Sequence, residues 1–179
     1  MVALGAGAID VANTSDIPPI FAAAAGNAAF KVIAVSQGNT LLQEVVAAPN
    51  SGITSVAGLK GKKVAYVKGT TAQYFLAKLL AQAGLSFADI TPVPLSPADG
   101  ATALSSGSVD ALASYGNSLP LLEAKGAVKI GSGETILSGN FPIEASTSAL
   151  ADPNKTAAIV DFLGRLNTAA AYARDHAQG

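Results

Sequence analysis

The chain contains 179 residues, of which half are hydrophobic and 13% are charged. This length suits one ordinary domain or two small lobes, and the composition supports a sizeable core and excludes a largely disordered protein. The formal net charge is −1 and the arginines are two, Arg165 and Arg174, so a surface that binds nucleic acid is not expected.

Cysteine and histidine, which serve in thiol catalysis, acid–base catalysis and metal binding, are nearly absent from the sequence. The chain has no cysteine, which excludes disulfides, thiol catalysis and thiolate metal sites. Its one histidine, His176, lies three residues from the end. We therefore expect no catalytic residue, no metal site and no cofactor.

Predicted strands and helices alternate along most of the chain. Segments rich in Val and Ile predict strands, and a glycine after an apolar segment predicts the end of a helix. The expected strands cover residues 9–13, 30–36, 41–48, 62–68, 90–95, 109–114, 127–130 and 141–146. The expected helices end near residues 25, 83, 106, 125 and 176. This alternation is typical of an α/β fold with parallel-rich sheets flanked by helices.

One pattern occurs twice, a hundred residues apart. Residues 4–11 (LGAGAIDV) and 104–111 (LSSGSVDA) share Leu, Gly, a β-branched residue and Asp at matching positions. Each copy is typical of the end of a helix, a glycine stop and a short buried strand. Two copies of one α/β unit predict two similar lobes with a ligand-binding cleft between them.

We expect each lobe to contain a distinct part of the chain. Lobe one, which would be incomplete, would take residues 1–44 and 148–179, and lobe two would take residues 45–147. Extended segments near 45–48 and 141–147 would cross between the lobes and act as hinges.

Three polar loops follow predicted strands, at the position where open α/β sheets bind ligands. The turn 69–71 is the strongest candidate for binding an anion, because it combines a glycine, two hydroxyls and the unpaired N–H groups of a helix N-terminus. The candidate ligand-binding residues are Thr14, Ser15, Asp16, Gly69, Thr70, Thr71, Tyr115 and Asn117.

Several of these residues also have a purely structural interpretation. Thr70 or Thr71 could serve only as the N-cap of a helix, Asp16 could cap its own helix, and a tyrosine at a strand end is common at the edge of a core. The repeat also pairs Asp10 with Asp110. We expect these two carboxylates to bond nearby backbone rather than to form a catalytic pair.

Several motifs, in family order, resemble the periplasmic solute-binding proteins of ABC importers, in the branch that binds aliphatic sulfonates, taurine and nitrate. Residues 55–64 (SVAGLKGKKV) resemble the opening of the second lobe, and residues 68–74 (KGTTAQY) resemble the turn before the next helix. Residues 97–111 and 7–19 are similar to two further motifs of that branch. The resemblance covers nearly all of the chain.

This resemblance implies a two-lobed periplasmic-binding-protein type II fold that closes on a small anionic ligand. The ligand would be an organosulfonate or a related oxyanion, and the partner would be an ABC permease in the membrane. The binding loops would fall on Thr14, Ser15, Asp16 and the turn 69–71. The implied location is periplasmic or extracytoplasmic, although residues 1–10 lack the basic and apolar regions of a signal peptide.

The sequence departs from the family pattern in two loops and in its extent. Tyr115-Gly116 stands where the branch often has Trp-Asp, and Ser15 replaces a glycine, which would narrow the pocket. The family also has chain before and after the region that matches. We therefore expect lobe one to have exposed sheet edges that pair with a second copy.

Two other classes of function stay open. Relatives of this architecture include a desulfinase and a thiamine-pyrimidine synthase, and the resemblance implies that such enzymes depend on Cys or His. The other alternative is a sensor or interaction module that transports nothing.

Overall fold

A computed structural model describes residues 1–176. The helices are α1 (Val2–Gly5), α2 (Ile17–Ala24), α3 (Thr71–Gln82), α4 (Pro97–Ser105), α5 (Ser118–Ala124), α6 (Thr147–Ala151) and α7 (Pro153–Asp175). The strands are β1 (Val11–Asn13), β2 (Phe30–Gln37), β3 (Gln43–Ala47), β4 (Lys63–Tyr66), β5 (Thr91–Pro94), β6 (Ala111–Tyr115), β7 (Val128–Ser132) and β8 (Asn140–Ser146). Within residues 1–176, no helix combines the length and the apolar character needed to cross a bilayer.

The strands form two separate sheets. The larger sheet has the order β5-β4-β6-β3-β7, and the smaller sheet has the order β1-β8-β2. This confirms the predicted α/β class, but the parallel pairs of neighbouring strands are β4 with β5 and β4 with β6. β3 is antiparallel to both β6 and β7, and β8 is antiparallel to both β1 and β2. The chain reaches β3 directly from β2, and β8 directly from β7, without a helix between the two strands. Each of these two strands therefore runs against its neighbours in its own sheet.

Helices cover both faces of the larger sheet. On one face α3 buries Phe75, Leu76 and Leu80 against the strands. On the other face α4 and α5 bury Leu104 and Leu119. Because both faces are covered, β3 is buried along its whole length, with alternate side chains in the two cores.

The smaller sheet has a smaller core. Ala145 of β8 packs against Ala149 of α6 and Ile159 of α7. Val32 and Val35 of β2 are more than half exposed. The smaller sheet therefore has less apolar packing to stabilise it than the larger sheet has.

The two segments that the sequence analysis assigned to hinges are core strands instead. β3 lies inside the larger sheet, and β8 is the middle strand of the smaller sheet. The chain passes between the sheets in residues 38–42 and 133–139. There the Gly38 N–H donates to the Gly139 carbonyl oxygen at 2.9 Å. Residues with buried side chains and paired backbones are poor hinges, so the crossings fall in the loops between strands.

The repeated pattern has the predicted conformation in both copies. Gly7 and Gly107 adopt φ angles of 70° and 72°, and each follows a short helix and precedes a strand. Asp110 accepts the backbone N–H of Lys63 at 2.7 Å, which is a backbone contact but lies far away in the sequence, so the expected bond to nearby backbone is wrong. Asp10 instead accepts a hydrogen bond from Lys155 Nζ at 2.9 Å, so the matched aspartates have different partners.

We expect the Gly107→Ala variant to lose about 1 kcal/mol of unfolding free energy, because φ at this position is left-handed. Gly164, inside α7, is a matched control, since an added Cβ there meets no atom within 4 Å. Gly164→Ala should gain about 0.5–1 kcal/mol. Urea unfolding followed by circular dichroism measures both changes. Equal stability of Gly107→Ala and the unmodified protein would contradict the assigned turn.

Candidate functional site

A cleft of about 500 Å³ lies between the two sheets. Elements of both sheets and the first crossing contribute to its walls. The lining residues are Asn13, Thr14, Ser15, Pro18, Asn39, Leu42, Gln43, Thr70, Thr71, Tyr115, Gly116 and Phe141. Five of the eight candidates from the sequence are therefore brought together around one cavity.

The turn before α3 forms one wall of this cleft. Thr70 is the N-cap of α3, and its hydroxyl accepts the Ala72 N–H at 3.2 Å and donates to the Val67 carbonyl at 2.7 Å. The N-cap interpretation of Thr70 is therefore correct. Because Thr70 also lines the cleft, capping and ligand contact do not exclude each other.

The backbone donors of this turn are only partly used. The Gly69 N–H donates to Gln73 Oε1 at 2.7 Å, so it is occupied. Within residues 1–176, the N–H groups of Thr70 and Thr71 have no hydrogen-bond acceptor. These two groups lie at the positive end of the α3 dipole and are available to an anion.

The opposite wall comes from the end of β1. The Asn13 side-chain amide donates to the Pro142 carbonyl at 3.1 Å, which holds this loop against β8. The Thr14 hydroxyl lies 2.8 Å from Glu144 Oε1 and 2.9 Å from the Ser15 carbonyl oxygen. The carboxyl group of Glu144, in β8 of the smaller sheet, therefore fixes the position of the Thr14 hydroxyl at the wall of the cleft.

Three of the predicted site residues do not line this cleft. Asp16 accepts a hydrogen bond from Ser138, in the second crossing, and its side chain makes no bond to the N-terminus of α2. The proposed capping role of Asp16 is therefore wrong. The Asn117 side chain is exposed and makes no capping bond to α5. Gly69 lines a neighbouring cavity of about 710 Å³ beside Lys68.

Gln43 is the most informative residue that the sequence analysis missed. It pairs with Tyr115 across β3 and β6, and both side chains line the cleft. The Gln43 side-chain oxygen is buried and has no hydrogen-bond partner within residues 1–176. An unpaired buried polar atom costs about 1–3 kcal/mol, so its position in a cleft suggests contact with a ligand.

The cleft beside the N-terminus of α3 has a neutral lining. None of its lining side chains is charged, so its polar groups are hydroxyls, amides and backbone N–H groups. Burial raises the pKa of Tyr115 above its ordinary value, so this phenol stays protonated at neutral pH. The lining therefore offers neutral hydrogen-bond donors together with apolar surface from Pro18, Leu42 and Phe141.

The sequence profile of the NMT1/THI5-like family matches residues 2–142. This match covers most of the chain, and the chain therefore belongs to the NMT1/THI5-like family.

Two curated relatives are designated aliphatic sulfonates-binding proteins. The one from Escherichia coli K12 is 47% identical over 111 residues, which are 62% of this chain and 34% of the relative. The one from Bacillus subtilis 168 is 35% identical over 176 residues, which are 97% of this chain and 52% of the relative. The chain thus spans between a third and about half of the length of these relatives.

Solved structures of the same kind of protein have the same fold. The periplasmic aliphatic sulphonate binding protein SsuA of Escherichia coli matches 97% of this chain with a TM-score of 0.76 and 36% identity. The alkanesulfonate-binding protein SsuA of Xanthomonas axonopodis pv. citri, bound to MOPS, matches 98% of this chain with a TM-score of 0.83 and 35% identity. The chain covers 59% and 61% of these two structures. The predicted periplasmic-binding-protein fold is confirmed.

We expect Gln43→Leu to raise the unfolding free energy by about 1 kcal/mol, because the variant removes a buried unpaired oxygen and keeps the side-chain volume. Gln73→Leu is the matched control, since it removes the acceptor of the Gly69 N–H, and it should cost about 1 kcal/mol. Urea unfolding of the protein without ligand measures both. A destabilised Gln43→Leu would show that the Gln43 oxygen has a partner in the folded protein.

Proposed function

We propose that the cleft binds a small aliphatic sulfonate or a related oxyanion, and that the protein is the solute-binding component of an ABC importer. One observation carries this proposal: a cleft beside a helix N-terminus offers neutral hydrogen-bond donors and no charged side chain. The Thr70 and Thr71 N–H groups and the Thr71 hydroxyl would contact the anion.

A sulfonate suits such a cleft for physical reasons. It keeps its negative charge throughout the physiological pH range, so it needs no protein cation to ionise it. The partial positive charge of the α3 N-terminus and several neutral donors are enough to orient an oxyanion. Pro18, Leu42 and Phe141 would pack against the aliphatic part of the ligand.

The relatives support this assignment. Their names describe proteins that bind aliphatic sulfonates, and one solved structure holds MOPS, which carries an alkanesulfonate group. By the same likeness, the protein would work in the periplasm or another extracytoplasmic space, with an ABC permease as its membrane partner. The chain spans only part of the length of these relatives, so its role in transport is proposed together with the ligand.

The proposal assigns no catalytic step to the cleft. A desulfinase-like or synthase-like mechanism needs a nucleophile or a general base near the ligand. The lining residues include hydroxyls but no Cys or His, and no Asp, Glu or Lys that could act as a general base to activate a hydroxyl. Ligand binding without chemistry is therefore the function that these residues support best.

We also propose that the two sheets define two lobes that close on the ligand. Lobe one would contain β1, β2 and β8, so β8 moves to lobe one from the lobe two of residues 45–147 that the sequence predicts, and lobe two would contain the other five strands. The hinges would lie in residues 38–42 and 133–139. Closure would bring Thr14 and Ser15 toward Thr70 and Thr71.

Thermal unfolding with added ligand tests the proposal. Ethanesulfonate, MOPS, taurine and nitrate are the probes, and ethylammonium chloride is the control for a cation of similar size. A probe at about a hundred times its Kd should stabilise the protein by about 2.7 kcal/mol, which corresponds to a shift in Tm of roughly 5–10 °C. If none of these anions shifts the Tm, the chain still belongs to its family, but the proposed ligand is wrong.

Thr71→Val should weaken sulfonate binding about 10- to 100-fold, because it removes one hydroxyl donor to a charged ligand and keeps the side-chain shape. Isothermal titration calorimetry measures the affinity. Thr91→Val, at the exposed start of β5, is the matched control and should bind like the unmodified protein. Unchanged affinity in Thr71→Val would place the anion elsewhere.

We further propose that two copies of this chain associate through the free edge of β2. This strand has eight residues, lies at the edge of the smaller sheet as residues 1–176 form it, and exposes Val32 and Val35. An unpaired edge of this length is a template for a strand of a second copy. Light scattering should show a dimer whose fraction rises with concentration.

A lysine at Val35 should abolish this dimer, because charged residues protect edge strands from pairing. Val160→Lys, which changes an exposed valine of α7, should leave the dimer intact. A protein that stays monomeric across concentrations would overturn the proposed edge pairing.

A further inference from the structure

Glu144 is a fully buried carboxyl group in the middle strand of the smaller sheet. It lies between Ala12 of β1 and Val32 of β2, and none of its surface is exposed. A buried carboxylate is unfavourable unless a cation or several donors compensate for the lost hydration. The partners of Glu144 therefore decide whether it carries a charge.

The surroundings of Glu144 compensate for a negative charge poorly. Oε1 has one partner, the Thr14 hydroxyl at 2.8 Å, and Oε2 is buried with no partner within residues 1–176. β1 carries no ionisable side chain, and Lys31 of β2 pairs with Ala145, so it belongs to the opposite face of the sheet. The Met1 amino group acts on Glu144 and favours its ionised form. Burial is the largest effect and raises the pKa of Glu144, and it outweighs the Thr14 hydrogen bond, the backbone N–H of Glu144 itself and the Met1 amino group, which all lower it.

The Thr14 hydroxyl lies near two oxygens but has a single hydrogen. The Ser15 carbonyl oxygen lies at 2.9 Å and Glu144 Oε1 at 2.8 Å. If Glu144 were ionised, both oxygens would compete for this hydrogen, and Thr14 would offer only lone pairs to the cleft. If Glu144 is protonated, Oε1 can donate to the Thr14 oxygen, and the hydrogen of Thr14 then goes to the Ser15 carbonyl oxygen or, when the hydroxyl rotates, to an acceptor in the cleft.

We propose that Glu144 keeps its proton in the folded protein and, as a positioning residue behind the cleft, donates it in a hydrogen bond to Thr14, which then donates to the anionic group of the ligand. The proton comes from solvent during folding, and no covalent bond changes. The part of this inference that concerns the ligand rests on the proposed function, whereas the protonation of Glu144 does not.

The first test needs no ligand. A group with a raised pKa contributes stability that is complete below its unfolded pKa, about 4.3 for Glu, and that is lost as pH rises through the folded pKa. Glu144→Gln stays neutral at every pH and keeps the shape. Its Tm should match that of the unmodified protein near pH 4 and exceed it by about 2–4 °C near pH 8.

Glu134→Gln, which changes an exposed glutamate, is the matched control and should show no such dependence on pH. Carbon-13 NMR of labelled glutamate carboxyls gives a second measurement. The signal that disappears in Glu144→Gln should titrate above the ordinary range of a glutamate carboxyl. Loss of stability in Glu144→Gln near pH 8, or a titration of the Glu144 carboxyl in the ordinary range of a glutamate, would overturn the proposal.

The second test concerns the ligand, with ethanesulfonate as the probe. As pH rises through the pKa of Glu144, the affinity of the unmodified protein should fall about tenfold, and that of Glu144→Gln should stay constant. If no sulfonate binds at any pH, the proposed function fails, and the first test still decides the protonation of Glu144. If sulfonate binds with equal affinity at every pH, the role assigned to Thr14 is wrong.

Discussion

The close contact between Gly38 and Gly139 determines how the two sheets meet. Their backbones share a hydrogen bond of 2.9 Å, and a Cβ on Gly139 would lie 2.6 Å from the Gly38 carbonyl oxygen. Gly139 also has a φ of 72°, so both its conformation and its surroundings require glycine. The contact ties the two crossings together at one point. The cleft lies beside it, because Asn39, Leu42 and Phe141 are its near neighbours in the chain.

The composition of the cleft follows from what each sheet contributes. The larger sheet supplies the N-terminus of α3, whose partial positive charge comes from backbone dipoles and not from a side chain. The smaller sheet supplies the hydroxyls of Thr14 and Ser15. Neutral donors of this kind can hold an anion without a buried cationic side chain. Such a cation would lose its hydration in the empty cleft, and that loss costs free energy. The same reasoning explains why the buried Glu144 behind Thr14 is best kept neutral.

Local signals made much of this predictable from the sequence. Gly7 and Gly107 mark helix ends by their neighbours alone, and the turn 69–71 places glycine and two threonines directly before a helix. The residues that could not be predicted depend on pairing between distant parts of the chain. Gln43 reaches the cleft because β3 is in register with Tyr115 on β6, more than seventy residues later. The sequence places Asp16 in the loop after β1, but its side chain accepts a hydrogen bond from Ser138 in the second crossing, a distant contact that no local pattern encodes.

The central claim is that unpaired backbone N–H groups of the turn before α3 bind an anion in the cleft. The most direct measurement is a proton–nitrogen NMR titration with ethanesulfonate that follows the amide signals of Thr70 and Thr71. Both signals should move downfield and saturate together with the binding isotherm, because their N–H groups would gain an acceptor. Binding that leaves both signals unmoved, with changes confined to another surface such as α7, would contradict the account.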